Sequence, residues 1–114
     1  MRYLVTIYNN AETLRAIEGE AREECGRAHR SVQEDLTASG ELVETSELST
    51  ADAKVVRTAG GRALVTDGPF SEAKEWAGGY YVLDCDSIDR AVEIAGRFVE
   101  ARFSPVEVRR VGSD

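Results

Sequence analysis

The run Ala53-Lys54-Val55-Val56-Arg57-Thr58-Ala59-Gly60-Gly61-Arg62-Ala63-Leu64-Val65-Thr66, residues 53–66, reads as two short strands folded about one turn. Two-residue hairpin turns need positive φ at their central positions, which Gly60-Gly61 adopts without steric cost. The flanks Ala53–Thr58 and Arg62–Thr66 are rich in Val, Thr and Leu, the residues a pleated surface favours. A turn centred there sets the register: Val56 faces Val65, Arg57 faces Leu64, and Lys54 faces Asp67.

Working outward, the hairpin is bracketed by a weaker strand at Leu42–Leu48 and a stronger one in Gly79-Tyr80-Tyr81-Val82-Leu83-Asp84. Residues 67–78 between them have the polar, Gly- and Pro-containing character of a functional loop. Beyond the first strand, Leu14, Ile17, Ala21, Cys25, Ala28, Val32 and Leu36 recur at steps of three and four. That spacing predicts one long amphipathic helix over 12–38, ending near Gly40, with Gly19 and Gly26 off its apolar stripe. On the other side, Asp86 or Ser87 caps a second helix whose face is Ile88, Ala91, Val92, Ala95, Phe98 and Val99, stopped before Pro105. Outermost are the nearly all-apolar strand Arg2–Tyr8, expected at the sheet centre and closed by Asn9-Asn10, and the strand Val106–Val111.

The order strand, helix, strand, hairpin, strand, helix, strand makes residues 1–114 one α+β domain: a ferredoxin-like split βαβ with an inserted hairpin and both helices on one sheet face. The other face then needs a cover. A second copy supplies it, so a homodimer is expected.

Fourteen basic against twenty-one acidic residues give the chain a net charge of −7, which repels a phosphate backbone and an anionic membrane. The apolar N-terminal run is too short for a signal peptide or a span, so a cytoplasmic protein is expected. Cys25 and Cys85 form no C-x-x-C, so two reduced thiols are expected in place of a disulfide or structural zinc site. No dinucleotide, P-loop, H-E-x-x-H or G-x-S-x-G pattern occurs, and no cofactor is expected.

The segment Thr66-Asp67-Gly68-Pro69-Phe70-Ser71-Glu72-Ala73-Lys74-Glu75, continuing into Gly78-Gly79-Tyr80-Tyr81, resembles the signature run of DGPF-domain proteins in the YCII-related superfamily. Ala38-Ser39-Gly40, Asp86-Ser87-Ile88-Asp89-Arg90-Ala91 and Val106-Glu107-Val108-Arg109 extend the likeness over most of the chain. The resemblance implies a dimeric α/β barrel, and some DGPF proteins are encoded near or fused to alternative sigma factors. Within YCII-like relatives a His and an Asp beside a cleft have been proposed as an active pair. Arg27-Ala28-His29, followed eleven residues later by Gly40, resembles their His segment, and Asp67 is the counterpart of the Asp.

His29 is the only histidine, and helical geometry sets it beside the apolar stripe, where an imidazole moves protons near neutral pH and Asp67 can fix its tautomer. The competing reading leaves His29 bonded to water or backbone and Asp67 paired with Lys54 or with loop amides. Phe70, directly after Pro69, closes a pocket or plugs the dimer seam. Trp76 and Tyr80 line a cavity for a flat organic ligand or serve packing; Arg57, with Arg27, grips a substrate carboxylate or forms solvated ion pairs. One His without a second His or paired Cys offers too few ligands for zinc, while Asp67 and Glu72 suit a weak site for oxygen-seeking cations. Two functions follow: a cofactor-independent enzyme doing proton transfer on a small organic substrate through His29 and Asp67, or a non-catalytic dimeric module binding a metabolite or a sigma factor.

Overall fold

The computed structural model describes residues 1–69 and 74–112. Strand β1 (Arg2–Asn9) is followed by helices α1 (Ala11–Glu18) and α2 (Arg22–Ser39), then strand β2 (Leu42–Glu47). A hairpin of β3 (Lys54–Ala59) and β4 (Arg62–Asp67) precedes β5 (Trp76–Asp84), helix α3 (Ile88–Ala95), a short 3₁₀ turn at Val99–Arg102, and β6 (Val106–Arg110). The main sheet has the order β2-β5-β1-β6, with antiparallel neighbours throughout. β5 therefore lies between β1 and β2, splitting the βαβ unit that α1 and α2 connect.

Alternation along the strands decides which face is covered. Tyr3, Val5 and Ile7 of β1 and Tyr81 and Leu83 of β5 are buried under Val32 and Leu36 of α2 and Ala91, Ile94, Ala95 and Phe98 of the α3 segment. Val106 and Val108, opposite Ile7 and Val5, extend the same core. Each fully buried aliphatic side chain here contributes about 1.5–3 kcal/mol, so this one layer contact dominates the stability of the fold. The in-between residues Leu4, Thr6, Tyr8, Tyr80 and Val82 alternate with the buried ones and are half-buried.

The hairpin forms its own two-stranded sheet, with Val56 opposite Val65, Arg57 opposite Leu64 and Lys54 opposite Asp67. Gly60 and Gly61 have φ of 58° and 76°, as a two-residue turn requires. Val56, Leu64 and Val65 are 64%, 52% and 57% exposed. The radius of gyration is 15.8 Å. A compact chain of this length has about 13 Å, so the hairpin stands off the body.

The expected single helix over 12–38 is two helices. Gly19 ends α1, Ala21 N–H returns to Ala16 carbonyl at 2.9 Å, and α2 restarts at Arg22. A Cβ at residue 19 would lie 2.9 Å from the Arg15 carbonyl oxygen, so the break depends on glycine. The second helix also stops early, at Ala95. Phe98 turns into extended backbone and the chain re-coils as the 3₁₀ turn. Ile88 and Val92, expected on its buried face, are 49% and 54% exposed, and Ile94 takes that place. Ser87 is the cap, its hydroxyl accepting from Arg90 N–H at 3.2 Å.

Candidate functional site

Steps of four along α2 put Cys25, His29 and Gln33 on one helix face, one turn above another. That face and α1 look onto the β2–β5 side of the sheet, and between them lies a cavity of about 760 Å³. Leu14 and Ile17 of α1, Thr45 and Glu47 of β2 and Trp76 of β5 contribute to its walls, with Cys25, His29, Tyr81 and Glu100 grouped together. Its volume lies within the ~300–1,000 Å³ usual for small-molecule sites.

Glu100 enters from the 3₁₀ turn. Phe98 and Val99, 2% and 3% exposed, anchor the turn in the core. Ser104 locks its far end, bonding through its hydroxyl to the Tyr8 carbonyl and through its amide to the Glu100 carbonyl. Arg102 adds an ion pair to Glu24 of α2. The result is a carboxylate held 2.7 Å from His29 Nε2 with only 8% of its side chain exposed. Burial pushes the Glu100 carboxyl up, but the hydrogen bond and charge of His29 outweigh it, and the group lies below its ordinary value. Glu100 Oε1 is buried and, among the described residues, has no hydrogen-bond partner.

The second ring nitrogen, His29 Nδ1, lies 2.7 Å from the Tyr81 hydroxyl, which also accepts from Gln33 Nε2 at 3.0 Å. Donor counting orders the chain: Gln33 amide donates to Tyr81, Tyr81 O–H to Nδ1, and Nε2–H to Glu100. The imidazole also belongs to a cluster of three rings, its centroid 4.7 Å from Phe98 and 5.8 Å from Tyr81, which are themselves 4.8 Å apart. Burial raises the Tyr81 hydroxyl, keeping it protonated as the donor this chain needs. Cys25, one turn before His29, is buried, and burial followed by the neighbouring Glu100 charge pushes its thiol up to about 12. Such an arrangement can accept a proton on the imidazole while the carboxylate stabilises the resulting cation.

The structure joins His29 to Glu100 and places Asp67 elsewhere in the chain. His29 lines the cavity, but its carboxylate partner is Glu100; Asp67 sits at the end of β4, 86% exposed in its side chain and bonded to Lys54 Nζ at 2.6 Å. Trp76 reaches the cavity wall. Tyr80 also borders it, while its hydroxyl donates to Glu44 at 3.0 Å. Arg57 belongs to the hairpin, opposite Leu64. Phe70 and Glu72 lie outside the described residues. Cys25, Glu100 and Tyr81 were missed as site residues. The Cys25-to-His29 step of four was a visible signal, whereas Glu100 follows the apolar Phe98-Val99 with nothing to mark it as facing inward.

No helix of the described residues is long and apolar enough to cross a membrane. A protein-family model described as the YCII-related domain matches residues 1–112. An uncharacterized protein of Rhizobium meliloti (strain 1021) is 35% identical over 96 residues, covering 83% of this chain and 77% of its own length. A split βαβ body whose sequence matches that model from its first strand to the end of its last belongs to the YCII-related domain family.

Proposed function

We propose that the protein carries out proton-transfer chemistry on a small oxygenated organic substrate bound in the 760 Å³ cavity, with His29 as the proton carrier. The observation that supports this is an imidazole joined to a buried carboxylate at one nitrogen and to a tyrosine hydroxyl at the other, both bonds at 2.7 Å. A substrate oxygen or acidic C–H displaces Tyr81 from Nδ1. The ring takes the proton there, and Glu100 holds Nε2–H and balances the charge. Isomerisation and elimination are the reaction types this serves. The cavity, with Leu14 and Ile17 beside Arg22 and Thr45, suits a ligand with a short carbon skeleton and a polar end. The test is hydrogen–deuterium exchange into a panel of small keto and hydroxy acids and lactones, followed by NMR on chelator-treated protein. Exchange that survives His29→Gln in a folded variant refutes the assignment.

A second reading, a DGPF-type homodimeric binding module in the cytoplasm, is favoured by the hairpin. Val56, Leu64 and Val65 are apolar and exposed on a projecting arm, and Leu4, Val82 and Tyr8 form an apolar centre on the uncovered sheet face, rimmed by Glu44, Glu107 and Arg109. Stacking two such faces into a dimeric α/β barrel removes both surfaces from water. Two free, buried thiols accord with a reducing compartment. Sedimentation of the wild type and of Val56→Asp/Val65→Asp tests the assembly; a monomeric wild type at micromolar concentration eliminates it.

A further inference from the structure

We propose that Cys25, His29 and Glu100 form a binding site for a thiophilic divalent cation of the zinc class, with its remaining coordination position open to the cavity. The thiol sulfur, an imidazole nitrogen and a carboxylate oxygen lie within 4.8 Å of one another. These are the three donor types that zinc combines, and tetrahedral sites place their ligand atoms about 3.3–3.8 Å apart. Reaching that spacing requires the three donor atoms, now within 4.8 Å, to gather on the ion while the 2.7 Å contact between His29 Nε2 and Glu100 opens.

A second, independent feature points to a ligand. Glu100 is 6% exposed, and its Oε1 is buried with no hydrogen-bond partner among the described residues. A carboxylate oxygen in that condition costs free energy unless something positive approaches it. The outer contacts are also those of a ligating imidazole. With Nε2 on the ion, Nδ1 carries the proton and donates to Tyr81, whose hydroxyl already accepts from Gln33 and turns its own hydrogen aside. Proton balance is simple: the ion replaces the thiol proton of Cys25, which leaves to solvent, while the ring proton moves from Nε2 to Nδ1 through exchange with water. No electrons are transferred.

This goes beyond the proton-transfer reading and does not require it. An ion on Nε2 and Glu100 disables His29 as a free base, so occupancy would switch that chemistry off; the exchange assay on chelator-treated protein and the titration below fail independently.

The test is titration of chelator-treated full-length protein with Co²⁺, followed by Zn²⁺ competition. One equivalent of Co²⁺ should give the intense near-ultraviolet thiolate-to-cobalt band together with visible tetrahedral bands, both lost as Zn²⁺ displaces it. Cys25→Ser should abolish the thiolate band, Cys85→Ser should leave it intact, and His29→Gln and Glu100→Gln should each weaken Zn²⁺ binding by more than about tenfold. Circular dichroism of each variant checks folding, and the near-isosteric Cys25→Ser keeps the test decisive should the others unfold. No saturable binding up to millimolar ion, a thiolate band that persists in Cys25→Ser, or its loss in Cys85→Ser overturns the proposal.

Discussion

Removing the imidazole strands a carboxylate. His29→Ala deletes the imidazole that lies 2.7 Å from the Glu100 carboxylate, whose side chain is 8% exposed. Breaking a buried pair by removing one member costs about 3–5 kcal/mol, because the remaining charge has lost its compensation. Loss of the ring contacts with Phe98 and Tyr81 adds roughly 0.5–1.5 kcal/mol at any pH. The charge-dependent part is separable. In the variant burial is the largest influence left on Glu100 and raises its folded-state pKa, opposed by the lesser hydrogen bonds from backbone and from Cys25. Stability is then fully present below the unfolded pKa and lost as pH rises through the folded one. The control is His29→Ala/Glu100→Gln, which has the same hole and no carboxylate. Urea unfolding of both at one protein concentration should place the single variant about 3–5 kcal/mol below the double at pH 8, with the gap closing toward pH 4 and the m-value constant. A gap under about 1 kcal/mol at pH 8, or one that does not change with pH, means Glu100 is solvated and refutes the buried-pair argument.

Glu41 accepts two hydrogen bonds from Arg90, each 2.9 Å, and one from Ser39, and these hold its carboxyl down at about 2. Glu41→Gln should therefore cost about 1–2 kcal/mol at neutral pH, measured by thermal unfolding. A depressed acid contributes above its unfolded pKa, so that deficit should vanish as pH falls from 4.5 toward 2. With its thiol up at about 12, Cys25 should be alkylated by iodoacetamide at pH 8 far more slowly than in urea, followed by mass spectrometry of the Cys25 peptide. Equal rates refute its burial. Asp67→Asn should change stability by no more than about 1 kcal/mol, because its bond to Lys54 is exposed, and should leave the His29–Glu100 contact untouched as read from ring-nitrogen NMR. Phe98→Ala should cost about 3–5 kcal/mol in chemical denaturation, since Phe98 is 2% exposed and supports both the core and the imidazole.

Local signals carried the strands. The Gly60-Gly61 turn imposes its register by geometry, so the pairing of Val56 with Val65 and of Lys54 with Asp67 was readable from spacing alone. The centrality of β1 followed from its unbroken apolar character. The helices were less legible. Leu14, Ile17 and Ala21 keep the periodicity going through Gly19, so the stripe does not register the break, which depends on an approach to the Arg15 carbonyl. The site was half legible: a lone His beside a stripe marks the place, but its partner comes from a turn 71 residues away whose inward direction is decided by the packing of Phe98 and Val99. Asp67 was singled out by its place in the DGPF run, and no residue pattern distinguishes a carboxylate at the open end of a hairpin from one folded into a cavity.

The interruption at Gly19 divides labour along what would otherwise be one rod. Cys25, His29, Tyr81 and Glu100 hang from α2, β5 and the 3₁₀ turn, cross-braced by the core, whereas the short α1 lines the cavity with Leu14, Ile17 and, at its end, Glu18. Because the Asn10 cap ties α1, its side chain accepting from Thr13 N–H and Thr13 Oγ and donating to the Phe103 carbonyl, substitutions at Leu14 or Ile17 can reshape the chamber without replacing Cys25, His29 or Glu100. The apolar wall of the chamber and the identity of its Cys25, His29 and Glu100 cluster are thereby set by different elements.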